Sequence, residues 1–143
     1  MSIFSRLWQR LTRRASSGLD PEQFIFLKIL DPVMPFDRGA QYEDPVEALL
    51  EARGLGTVSG SGSGLGDPRP DGTRPIAYCG VDIETTLRDQ ALEMLRAEVP
   101  KLGAPVGSEL HYTRNGVRLQ DELHVNGWEL SKPRTFLHPG FGC

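Results

Sequence analysis

The run Phe24-Ile-Phe-Leu-Lys-Ile-Leu30 constrains this chain more than any other stretch. In an extended strand successive side chains point to opposite faces, so Phe24 and Phe26 lie on one side and Ile25, Leu27 and Ile29 on the other. A strand that is apolar on both faces needs helices or loops on both sides of its sheet, which predicts a central strand.

The remaining elements follow from local patterns. Asp44-Pro45-Val46-Glu47 combines a capping residue, a proline suited to the first helical turn and an acid at the third position, which predicts a helix start. That helix turns Val46, Leu49 and Leu50 inward and stops at Gly54, a natural left-handed terminator. Gly54 to Gly66, followed by Asp67-Pro68-Arg69-Pro70-Asp71-Gly72, predicts a flexible connection holding at most one short strand. From Ile76 the chain alternates again, with Ala77, Cys79, Val81 and Ile83 on one face and Tyr78, Gly80, Asp82 and Glu84 on the other, the second face solvated toward its C-terminal end. Thr86 and Asp89 resemble a capping box, and Leu87, Ala91, Met94, Leu95 and Val99 form the apolar stripe of a second helix ending before Gly103. Residues 107 to 113 predict another strand, and Asn115-Gly116 a tight hairpin turn. A second Asn-Gly at 126 and 127 leads into Trp128-Glu129-Leu130, the return strand of a last hairpin. Strand, helix, strand, strand, helix, strand is the order of an α+β, ferredoxin-like split βαβ sandwich: an antiparallel sheet with two helices on one face, here with an extra C-terminal hairpin.

Charge divides the chain. Residues 1–19 hold four arginines and no acid, so the net charge of −3 splits into +4 on the leader and −7 on the rest. Ile3, Phe4, Leu7, Trp8 and Leu11 recur at helical spacing while Arg6 and Arg10 lie largely elsewhere on the wheel, which predicts a basic amphipathic helix over 1–19. The organisation expected is this leader, an α+β domain over 20–131 and an irregular tail over 132–143. Two cysteines, Cys79 in a core-facing strand position and Cys143 at the end, do not build a disulfide framework. With no long apolar run and no secretory signal, a reducing cytoplasmic compartment is expected, with peripheral attachment to a membrane surface through residues 3–14 as one use of the leader. Docking on its own body or on a sister subunit, or in a partner's groove, are the others. The acidic body argues against nucleic acid as a partner.

The run Gly54 to Gly66, the block Val81-Asp82-Ile83-Glu84, the segment Leu102-Gly103-Ala104-Pro105 and the strand Gly107-Ser-Glu-Leu-His-Tyr112 resemble a group of small bacterial α+β proteins, over roughly residues 22 to 131. The resemblance implies a shared fold and, by the nature of some members, an immunity- or adaptor-type binding role. It brings no catalytic residues with it.

Chemistry-bearing patterns are sparse. The Gly-rich run matches neither Gly-x-Gly-x-x-Gly nor Gly-x-x-x-x-Gly-Lys-Ser/Thr, and prolines follow where a phosphate-binding helix would have to start. Asp82 and Glu84 share a strand face about 7 Å apart, a spacing that suits acid–base work or a hard metal but equally an ordinary polar strand end. His111, His124 and His138 are scattered without metal-ligand spacing, and no nucleophile motif is present. No cofactor and no metal is therefore expected. The leading expectation is a non-enzymatic module that binds another protein, a basic one by charge, with contacts at Phe4, Arg6, Leu7, Trp8, Arg10, Leu11, Asp82 and Glu84. The alternatives are a small enzyme with a site around Asp82, Glu84, His111 and Tyr112, and a peripheral membrane protein held by its leader; the sequence leaves the oligomeric state open.

Overall fold

The computed structural model describes residues 20–31 and 35–142. Phe4, Arg6, Leu7, Trp8, Arg10, Leu11 and the rest of the leader lie outside the described residues, as does Cys143. Six strands form one sheet: β1 (Phe24–Ile29), β2 (Gly56–Leu65), β3 (Ile76–Thr85), β4 (Glu109–Arg114), β5 (Val117–His124) and β6 (Gly127–Pro133). Their order is β2-β3-β1-β4-β5-β6 and every neighbouring pair is antiparallel. Between β1 and β2 run a short helix α1 (Pro35–Arg38), a π-helical stretch (Gly39–Glu43) and α2 (Asp44–Arg53); α3 (Arg88–Glu98) joins β3 to β4.

β1 lies inside the sheet, between β3 and β4, as its two apolar faces demand. Ile25, Leu27 and Ile29 meet Val81, Ile83 and Leu110 together with Val46 and Leu50 of α2 and Leu92 and Leu95 of α3 in the main core. Phe24 and Phe26 face the other way, into a smaller aromatic cluster with Phe141, against which Tyr78 and Phe136 pack. The two-residue turn at Asn115-Gly116 holds both residues at positive φ (53° and 76°), as the Asn-Gly pair predicts.

Three local expectations are corrected. The Gly-rich run is a ten-residue strand, paired with β3 from Gly56 opposite Thr85 to Leu65 opposite Ile76, with register shifts after Val58 and after Gly64. Its return through residues 66–75 is a closed turn: the Arg69 N–H bonds the Thr73 carbonyl at 2.7 Å, and Asp71 accepts from the Thr73 N–H and hydroxyl. Asp44 does not cap α2, because the chain is already helical; its N–H bonds the Gly39 carbonyl across five residues. Pro45, which has no N–H, follows directly where the ladder changes spacing. Thr86 likewise does not cap α3. The first α3 amide, that of Arg88, is accepted by the Gln23 side chain at 3.1 Å, and Leu87, placed in sequence on the apolar stripe, is 47% exposed.

The C-terminal hairpin is tied to α3 through one carboxylate. Asp121 is fully buried and accepts from the Tyr112 hydroxyl (2.7 Å), the Ser131 N–H (3.0 Å) and the Arg96 guanidinium (2.7 Å). Trp128 adds an Nε1–H bond to the Arg96 carbonyl at 2.8 Å.

Candidate binding cleft

The sheet face turned away from α2 and α3 is covered by residues 134–142, the segment expected to be an irregular tail. Regular hydrogen bonding ends at Pro133, but the side chains beyond it are anchored. The Arg134 guanidinium donates to the Phe136 carbonyl (2.8 Å) and to the Thr113 hydroxyl (3.0 Å), and lies 3.9 Å over the Phe141 ring. Phe136 stacks on Phe26 with ring planes 3° apart and meets Tyr78 edge-on. Phe141 packs edge-on against Phe24. The Lys28 ammonium sits 4.9 Å over Tyr78 and 5.4 Å over Phe136, with Glu109 at 3.9 Å. A strand face rich in aromatics thus receives a tail rich in aromatics, and each buries what the other would otherwise expose.

This face also lets glycine and rings interlock. A Cβ on Gly80 would fall 2.5 Å from the Phe26 ring, one on Gly64 about 2.0 Å from Tyr78, and one on Gly140 about 2.4 Å from Phe24. Gly62, directly opposite Gly80, has nothing within 4 Å of that position. A cleft of about 220 Å³ therefore opens over Gly62 and Gly80, walled by Phe26, Tyr78, Asp82 and His138 and reaching Ser61 and Ser63 of the outer strand.

His138 sets the charge of this cleft. Its Nδ1 accepts the Gly140 N–H at 2.9 Å, so that nitrogen is bare and the single ring proton sits on Nε2, which donates to Asp82 Oδ1 at 3.0 Å. A neutral imidazole satisfies one carboxylate oxygen and leaves the negative charge uncompensated. Among the described residues nothing bonds Asp82 Oδ2.

The residues singled out in sequence are not brought together. Glu84 lines a separate cleft of about 340 Å³ with Phe24 and Thr85. His111 is fully buried under Phe26 and Phe136, and its Nε2 bonds Glu109 at 2.8 Å rather than Asp82. Burial pulls the His111 pKa below 6.5, against the pull of Glu109. Tyr112 faces the opposite side of the sheet, bonded to Asp121. The imidazole that does reach Asp82 is His138, 56 residues away. The signal in the sequence was Phe136, His138 and Phe141 themselves, three rings in a segment too aromatic to be left in water. Among the described residues no three His, Cys, Asp or Glu side chains gather as metal ligands, and no helix is long and apolar enough to cross a membrane.

Comparison with known proteins gives no match to a family model, to a characterised protein or to a solved structure.

Proposed function

We propose that this chain is a non-enzymatic protein-binding module, immunity- or adaptor-like, whose acidic body takes an extended segment of a basic partner along the outer edge of β2. On this reading β1 to β4 with α2 and α3 form a ferredoxin-like split βαβ sandwich, and β5–β6 is an added hairpin. The carrying observation is the contrast between the two sheet edges. β6 is guarded by Glu129, Lys132 and Pro133 and by Ser131 at a φ of 57°. β2, Gly-Thr-Val-Ser-Gly-Ser-Gly-Ser-Gly-Leu, has no charged residue and no proline of its own; its register shifts after Val58 and after Gly64, and Arg38 bonds its Ser61 and Ser63 hydroxyls, leaving Gly60 to Gly64 as a regular uncharged stretch. Charges and prolines are the usual means of keeping an edge from pairing, so an edge without them is suited to accept a strand. The −7 charge outside the leader favours a basic partner and speeds its arrival.

The test is affinity capture from the source cells with the full chain and with the double variant Thr57→Lys/Leu65→Lys. Neither position lines the cleft; Thr57 is half-buried on the outer strand and Leu65 is already 53% exposed. A basic protein retained at low salt, released at high salt and lost with the variant is the expected result. Equal retention by the variant, or no salt-sensitive partner, overturns the reading.

A further inference from the structure

Gly62 has no internal reason to be glycine. Its φ is not positive, no atom of the described chain lies within 4 Å of where its Cβ would stand, and alanine there would favour an extended strand over glycine. A glycine inside a strand otherwise marks a place where something else comes close. What surrounds the open space above it is two ring walls, Phe26 and Tyr78, the Asp82 carboxylate held through one oxygen by His138, and Ser61 and Ser63 of the outer strand, whose hydroxyls accept from the Arg38 guanidinium. The carboxylate attracts a cation by charge and repels an anion, and the two rings, whose faces are taken up by Phe136, His138, Gly64 and Lys28, wall the space with apolar surface. The same face already holds cationic side chains against rings internally, with Arg134 on Phe141 and Lys28 over Tyr78 and Phe136.

We propose that this cleft is the specificity pocket for an arginine side chain carried by a partner strand paired to β2. The inference rests on the edge-pairing reading above. A residue of an added strand opposite Gly60 or Gly62 projects onto the cleft side of the sheet, because opposed residues share a face. It stands two strand spacings, about 10 Å, from β3, where Asp82 is set opposite Gly60. Arginine spans most of that distance across the open position at Gly62, its stem packing along the ring walls while its guanidinium forks onto the carboxylate. A side chain at Gly62 would stand in its path. Lysine brings the charge without the planar fork and ranks second.

The probe is N-acetyl-arginine methylamide, titrated into the isotope-labelled full chain and followed by amide and aromatic chemical shifts. Saturable shifts confined to Gly62, Gly80, Asp82, Tyr78 and His138 are expected. Binding should be at least fivefold weaker for the uncharged citrulline analogue and lost in Asp82→Asn, which keeps an acceptor for His138. Scattered shifts, equal binding of the citrulline analogue or an unaffected Asp82→Asn protein overturns the pocket. Thr57→Lys/Leu65→Lys should bind the probe as the parent does. Probe binding beside undiminished partner capture by that variant overturns the edge reading and leaves the pocket; partner capture lost in the variant, with no probe binding in the parent, does the reverse.

Discussion

Replacing Gly80 with alanine tests whether the second sheet face is packed as described. The new Cβ would lie 2.5 Å from Cε1 and Cζ of Phe26, against an ordinary carbon contact of about 3.5–4.0 Å, so the ring must retreat by about 1 Å. It has little room. Phe136 stacks on it at 5.4 Å, and His138 and His111 flank it at 4.8 and 5.6 Å. Overpacking of this kind costs about 1–3 kcal/mol, and a ring enclosed by Phe136, His138 and His111 belongs in the upper half, about 2–3 kcal/mol. Because Gly80 does not hold a positive φ, alanine also recovers about 0.5–1 kcal/mol of backbone entropy, leaving a net loss of about 1–2 kcal/mol. The control is Phe26→Leu, which removes the ring atoms that clash. In that background Gly80→Ala should become stabilising, giving a coupling of about 1.5–3 kcal/mol between two neighbouring positions. Urea unfolding, read by the fluorescence of Trp128 packed against the core, would show the single variant's midpoint lowered by roughly 0.5–1.5 M at unchanged slope. A Gly80→Ala protein as stable as the parent, or additivity within about 0.5 kcal/mol, would refute the ring-on-glycine packing.

Two further predictions concern the polar ties. Asp121→Ala leaves Tyr112, Ser131 and Arg96 without their shared acceptor and should destabilise by about 3 kcal/mol, the low end for a broken buried pair, since Arg96 is partly exposed and can turn to water. Hydrogen exchange should show β5 and β6 losing protection first, and a loss below about 1 kcal/mol in urea would contradict the network. Glu22 is held below its usual pKa of 4.5, first by the Gly116 N–H and then by that of Asn115 and by Arg88. A carboxylate with a depressed folded-state pKa stabilises the fold above the unfolded value and loses that contribution as pH falls through the folded one. The stability gap between the parent and Glu22→Gln should therefore be constant at neutral pH and close below about pH 4.5; a gap unchanged down to pH 2 would count against the bonds to the turn.

What was readable in the sequence was whatever a strand or helix period records. β1 shows its central place through apolar residues on both faces, the Asn115-Gly116 turn through backbone conformation, and α3 through Ala91, Met94 and Leu95. β2 left no such trace, because alternating glycine and serine carry no apolar face. It is a strand because β3 lies beside it and because Tyr78 lays its ring on Gly64. The start of α3 was misread for a related reason. Its capping acceptor is Gln23, 65 residues distant, which no local motif contains. The cleft was half visible. Asp82 was singled out for its strand position, whereas His138 sits in a segment with neither period, and its meeting with Asp82 depends on Arg134, Phe136 and Phe141 anchoring the tail.

That dependence joins the C-terminal segment to the cleft it walls. Phe24 lies against Gly140, the Gly140 N–H fixes Nδ1 of His138, and the tautomer so fixed decides that Asp82 receives a hydrogen bond without a compensating charge. A closed aromatic tail therefore does more than cover the apolar rings of β1. By holding one histidine nitrogen bare it keeps a negative charge beside two rings, at the side of the sheet whose outer strand carries neither charge nor proline. Sheet edge, open Gly62 and carboxylate are thereby set on one side of the sheet, the arrangement on which the proposed recognition of an extended basic segment rests.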